Sequence, residues 1–259
     1  MYIFFACPLF ANGQQIADAL EKTYMPNIYW FNLRYDHYLK SGSFLFLENN
    51  TRLSHSFNTV TRFYFLAGYE HKASERWYLG LSEKLVVIPG NTAYSSMSYQ
   101  YMYTRANISH RGHIGKLKFI KELALEHLHD MTKYNNPNLV IENKGRISFA
   151  PSLVKEISVK GKPLFLIFHY RAFILFDFNN DQRSAYGERF FDKTRLRLEL
   201  DYKISPRLLL SVFAIRDTDY YYRQYGDEAR INRITPTYGL GINILTNAPQ
   251  DFLPGFPIK

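Results

Sequence analysis

Cysteine is almost missing from this chain. Cys7 is the only one in 259 residues, so a disulfide framework and a cysteine-built metal site are excluded. Long hydrophobic runs are missing too. No stretch approaches the roughly 20 consecutive apolar residues that a transmembrane helix needs. Basic residues outnumber acidic ones, 32 to 23, for a formal net charge of +9. No Lys/Arg block stands out, however, which argues against a nucleic-acid partner and leaves anionic lipid or anionic solutes as the counterpart. The eight His are scattered. They form no recognisable metal-ligand set, and no Ser–His–carboxylate arrangement falls on one strand face.

Aromatic residues are abundant. Tyr and Phe number 21 each, and aromatics make up 17% of the chain. Mean hydropathy is −0.28, which suits a soluble protein but equally suits strands that alternate apolar and polar side chains. That alternation is the main signal. In Thr194-Arg195-Leu196-Arg197-Leu198-Glu199-Leu200-Asp201-Tyr202, apolar and charged residues take strict turns. Successive side chains of a strand point to opposite faces, so one face is greasy and the other charged. A soluble sandwich would bury the greasy face in a core. A transmembrane barrel would turn it to lipid and line its lumen with the charges.

Eleven such stretches are counted: 28–38, 44–53, 60–70, 76–88, 97–108, 116–128, 146–157, 164–177, 189–204, 207–216 and 237–245. Residues 116–128 also carry helical spacing, and strand is preferred because both neighbours are strands. Tight connections alternate with long ones, as in an up-and-down meander with one elaborated end. The expected fold is all-β: a closed antiparallel up-and-down transmembrane barrel. Single-chain bacterial barrels normally have an even number of strands, so about 12 strands are expected, within 10–14. Tyr220–Ile231 is the segment expected to hide the missing one. Residues 1–13 read as a signal peptide, because an apolar run from Tyr2 to Phe10 precedes the small residues of Ala11-Asn12-Gly13. Its positive n-region is missing. A lipoprotein site at Cys7 and a plain buried strand are the alternatives. Residues 14–27 form a lead-in, 28–245 the barrel and 246–259 a C-terminal tail.

Four segments carry a family resemblance. The first is Tyr29-Trp30-Phe31 followed by Glu48 and Arg52. The second is the hairpin Arg62 to Leu81. The third is Phe191 to Leu198 running into Tyr202-Lys203-Ile204-Ser205-Pro206, and the fourth is Tyr238 to Leu245. Together they resemble the DUF2490 family of outer-membrane β-barrel proteins of Bacteroidota, a domain of unknown function. The resemblance spans most of residues 27–245 and implies an outer-membrane barrel and no reaction. The tail after Leu245 departs from barrels that end on an aromatic residue read by the assembly machinery.

The charged faces are the main candidate site. Arg34, Asp36, Glu48, Arg52, Arg62, Glu70, Arg195, Arg197, Glu199 and Asp201 are expected to face the lumen. There they form either a selectivity lining or an interstrand ion-pair lattice that fills the barrel. Leu196, Leu198, Leu200, Tyr238, Leu240 and Ile242 are expected to face lipid. Ser109-His110-Arg111-Gly112-His113 reads as a polar turn, since adjacent strand residues cannot form a Ser–His pair. His127 and His129 share a strand face beside Glu126 and Asp130, yet lack a second His pair. Tyr220, Tyr221, Tyr222 and Tyr225, with Arg223 and Arg230, form an aromatic cluster in the last long loop. It suits an interfacial girdle or sugar stacking.

The expectation is a monomeric outer-membrane barrel, structural or a narrow channel for small solutes. It has no catalytic residue, cofactor or metal, and its partners are outer-membrane lipid and the barrel-assembly machinery. An outer-membrane lipid-modifying enzyme, of phospholipase or lipid A deacylase type, is one alternative. A soluble all-β binding protein is the other.

Overall fold

The computed structural model describes residues 22–57, 59–89, 99–115, 117–130, 144–177, 182–183, 193–223 and 230–249. The expected signal peptide, most of the lead-in and the tail from residue 250 lie outside the described residues.

Among the described residues, eleven long strands form the ring. They are β1 (Ile28–Tyr38), β2 (Phe44–Leu53), β3 (Val60–Lys72), β4 (Trp77–Ile88), β5 (Tyr99–Ile114), β6 (Leu117–Asp130), β7 (Lys144–Val159), β8 (Lys162–Asp177), β9 (Lys193–Ser205), β10 (Leu208–Arg223) and β11 (Arg230–Thr246). Each pairs antiparallel with its sequence neighbours. β11 then pairs with β1, and this pairing is parallel, from Thr237↔Ile28 to Thr246↔His37. The sheet therefore closes into a ring. Two short segments add to it: Lys22–Tyr24 also runs parallel to β11, and Gln182–Arg183 pairs antiparallel with the end of β8.

No twelfth long strand is found among the described residues: of the segment expected to hold it, Tyr220–Arg223 lengthens β10 and Arg230–Ile231 opens β11. Parity explains the closure. In a meander of odd number, the first and last strands run the same way, so only a parallel pair can join them. The expectation of an all-antiparallel barrel is corrected at this one seam. Both seam strands start at the end of the long connections, and β11 finishes at the end of the tight turns.

The tight turns have local causes. Lys160 and Gly161 both take positive φ, 49° and 76°, the combination of a two-residue type I′ hairpin. Residues 109–113, expected as a turn, instead belong to β5, which runs on to Ile114. Their alternation continues the strand, and the turn comes at Gly115, which takes a positive φ of 59°. The segment with helical spacing is strand β6. Its partners on both sides hydrogen-bond it along its length, and this overrides helix propensity.

The strands are staggered. Following register partners around the ring from Tyr38, through Phe44, Glu70, Gly80, Asn107, Ala124, Ser148, Phe173, Lys193, Asp219 and Arg233, the path returns on Thr23 rather than Tyr38. Such stagger tilts the strands against the barrel axis.

The seam can be tested by cross-linking. With Cys7 replaced by Ser, Leu33→Cys and Ile242→Cys sit opposite each other on the outer face of β1 and β11. A short bis-maleimide should join them and shift the folded protein on a gel. A Leu33→Cys/Asn49→Cys pair across β1 and β2 serves as positive control. If the control cross-links and the seam pair does not, the ring is open.

Candidate functional site

Alternation along each strand sends half of the side chains into the ring. On β1, Trp30, Asn32, Arg34, Asp36 and Tyr38 are buried, while Phe31, Leu33 and Tyr35 are exposed. The same two-residue period fills the interior from every side. Near the tight-turn end, on the β7–β8 and β10–β2 walls, the filling is apolar: Phe44, Phe46, Val154, Phe165, Ile167, Leu209 and Leu245 belong to one packed cluster. Above it the filling is ionic.

The sequence-predicted charges fall inside, in three groups. Arg34 donates from Nε to Asp36 (2.7 Å) and from Nη1 to Glu48 (3.4 Å), whose other oxygen accepts from Tyr64 Oη (3.3 Å). Arg197 donates to Glu199 (2.7 Å) and lies over the Phe213 ring at 3.8 Å, with Asp201 buried one inward position further along β9. Arg195 makes a two-pronged contact with Asp217, Nε to Oδ1 at 2.7 Å and Nη2 to Oδ2 at 2.8 Å. The others make different contacts. Arg52 stacks on Trp30, 4.0 Å from the ring, and faces Arg62 across the β2–β3 pair. Arg62 lines a cavity of about 330 Å3 near the long connections, with Tyr101, Tyr103 and Arg146. Glu70 accepts from Asn107 Nδ2 (3.0 Å).

That last bond passes over β4, because Glu70 is on β3 and Asn107 on β5. It can do so only where β4 has no side chain: a Cβ at Gly80 would run into both partners. Gly239 plays the same part for the Phe213 ring, which lies against it beside Trp30.

The most connected part of the lattice was missed in the sequence. Arg105 bridges Glu122 (2.5 Å) and Glu126 (2.7 Å). Arg171 joins at Glu122 (2.8 Å), and Arg146 joins at Glu126. At the upper rim, Lys193 (2.8 Å) and Arg233 (3.0 Å) meet on Asp219. Glu122 and Glu126 stood on the charged side of β6, and Arg171 on that of β8, so alternation was signal enough to place them inward. Their partners depend on register between strands and carry no local mark.

The residues expected on the greasy face point outward. Leu198, Leu200, Tyr238, Leu240 and Ile242 are exposed, and Leu196, of the same parity, is half-buried.

The histidines separate. Ser109 is buried inside, while His110 points out against Trp77, ring centroids 4.8 Å apart. His127 and His129 share the outer face, Nδ1 to Nε2 at 2.7 Å, whereas Glu126 turns inward to Arg105. No group of three metal-ligating side chains exists among the described residues. Ser152 and His169 do meet, Oγ to Nδ1 at 2.6 Å, inside the barrel. The charges around that imidazole are Arg171, Arg197, Arg195 and Arg105. Of the tyrosine cluster, Tyr220 lies on β10 rather than in a loop and shares a hydrogen bond with Thr194 (3.0 Å); Tyr225 lies outside the described residues.

Two substitutions probe the lattice. Glu126→Gln leaves Arg105 and Arg146 without their shared charge and should destabilise the fold by about 3–5 kcal/mol. Gly80→Ala should cost roughly 1–3 kcal/mol by forcing Glu70 and Asn107 apart. Both are read from the urea midpoint of the refolded protein, and an unchanged midpoint in either case would remove that contact from the stabilising set.

No protein-family model matches the chain, and no curated protein matches it. Among solved structures it is similar to a NanC porin structure, with 11% sequence identity and a TM-score of 0.48 over 82% of this chain and 90% of that one. A likeness at that level says nothing about solute or reaction.

Proposed function

We propose that the chain is an outer-membrane β-barrel with a largely filled lumen, whose role is structural rather than bulk permeation. The observation that carries this is the outer surface. Leu33, Leu47, Phe65, Leu81, Ile108, Leu123, Phe149, Phe168, Leu198, Val212 and Leu240, one from each strand in order, are all exposed. An apolar belt around the whole ring is what a bilayer covers. In water it would far exceed the patches soluble proteins leave uncovered. Exposed Tyr35, Tyr69 and Trp77 near the tight turns, and Tyr238 near the long connections, suit the two interfaces of a membrane. Glu83 interrupts the belt on one side, where it accepts a hydrogen bond from Thr104 (3.1 Å). The resemblance to DUF2490 barrels points the same way. In this reading the partners are outer-membrane lipid and the barrel-assembly machinery, and the barrel is a monomer.

Filling favours a structural role over an open pore. Phe46, Leu66, Phe165, Ile167, Leu209 and Phe213 are each at most 3% exposed and belong to one cluster inside the ring. A narrow channel for small anionic solutes is the second reading, favoured by the inward Arg and Lys of the lattice. We read the protein as non-catalytic: its buried Ser152–His169 contact is turned away from the lipid-facing surface where an acyl chain would lie.

The protein should fractionate with the outer membrane, need detergent for extraction, and give no large steady conductance steps in planar bilayers. Recovery in a soluble fraction would sink the membrane reading, and large open steps would sink the filled lumen. Leu198→Arg should destabilise the inserted protein by about 2–4 kcal/mol if its position is near the midplane; tolerance equal to that of a loop substitution would mean the outer face is not in lipid. Acyl-chain release from phospholipid that is lost in Ser152→Ala would overturn the non-catalytic reading.

A further inference from the structure

The tight-turn mouth of the barrel holds charge that the lattice does not neutralise. The ends of β1, β3, β4, β5 and β6 frame a cavity of about 540 Å3. Its wall carries Lys40, Lys72, Arg76, Arg111, His113 and Lys118, against the single carboxylate of Glu75 among the described residues. Lys118 is paired with Glu156 (3.3 Å). Lys40, Lys72, Arg76 and Arg111 make no ion pair among the described residues. Deeper in the barrel, Arg34, Arg105, Arg195 and Arg197 each hold a carboxylate.

The cations at the mouth are held close together. The backbone N–H of Arg111 donates to the carbonyl of Arg76 (2.8 Å). The Lys72 side chain lies over Gly42, in the turn that also carries Lys40. The Arg111 guanidinium lies on the Tyr78 ring, 3.7 Å from its centroid, and its Nε is buried without a hydrogen-bond partner. A guanidinium fixed on an aromatic face keeps its N–H edge in one plane, ready for a planar or tetrahedral oxyanion. Cations gathered in a concave mouth with low-dielectric walls repel one another and focus a positive potential into the cavity. A multiply charged anion removes that repulsion and accepts several charge-assisted hydrogen bonds at once.

We propose that this mouth is a binding site for a phosphate-class anion carrying two or more charges, seated between Arg111, Arg76 and Lys72. The site depends only on the geometry of the mouth, so it stands or falls separately from the membrane reading.

The test uses the full chain refolded in nonionic detergent and titrated calorimetrically with pyrophosphate at constant ionic strength. A second arm uses micelles doped with phosphatidic acid, so that a soluble phosphate and a lipid headgroup are told apart. Saturable binding in either arm is expected, weakened roughly tenfold or more by Arg111→Gln. Because Arg111 is packed on Tyr78, the double variant Lys40→Gln/Lys72→Gln, altered only at the rim of the cavity, guards against a folding artefact and should also bind more weakly. Arg62→Gln, at the opposite end of the barrel, should bind like the unaltered protein. The proposal is overturned if neither phosphate source binds, or if the rim double variant keeps full affinity. Loss of affinity in Arg62→Gln equal to that in the rim variant would also overturn it, by showing general charge attraction instead of a site.

Discussion

The parallel hydrogen bonds between Ile28–His37 and Thr237–Thr246 join the two ends of the sheet, and the rest of the structure depends on that joint. An open sheet of eleven strands would present two long edges of unpaired N–H and C=O groups. Closed, it has none. Closure also turns two faces into an inside and an outside. The seam runs without a register shift, but its parallel pairing is slightly weaker per residue than antiparallel pairing. The residues packed behind it compensate. Trp30 and Phe213 meet edge to face, ring centroids 5.8 Å apart, across the space left by Gly239.

Closure forces charge into the interior. With greasy side chains outward, the alternate positions of every strand must go inside, including arginines and carboxylates that would otherwise be solvated. Such groups are tolerated in a low-dielectric interior only when paired and hydrogen-bonded. Hence the chains of contacts from Arg171 through Glu122 and Arg105 to Glu126 and Arg146. The lattice acts as a brace between strands more than as a source of net stability. Two places depart from that pairing: Arg52, stacked on Trp30, faces Arg62, and at the tight-turn mouth basic side chains outnumber the single carboxylate of Glu75 among the described residues. The interior thus divides by height and side into an apolar floor, an ionic middle and a cationic mouth.

How much of this was legible locally depends on the kind of feature. The bounds of β1 and β2 could be read to the residue, because each is a clean alternation ended by a polar turn. β5 was cut short, because Ser109-His110-Arg111-Gly112-His113 looks like turn chemistry yet keeps the strand period through Ile114. β11 starts at Arg230, earlier than its alternation shows, because its first residues continue a stretch rich in Tyr and Arg that reads as loop. Alternation alone counts eleven strands, and the rule of even number that predicts a twelfth assumes an antiparallel seam.

Two-residue periodicity is a property of the local backbone, so the sequence alone determined which side chains share a face, and with it the all-β class, the apolar face and the charged face. It left open which face is the inside, because a sandwich and a barrel satisfy the same period. Ring closure decided that. The tertiary structure alone also decided the partners. Arg195 meets Asp217, Glu70 reaches Asn107 across Gly80, and Arg111 stands beside Arg76. Each of these meetings is set by the register and stagger of strands distant in the chain, and register is a sum over many pairings that no single segment encodes.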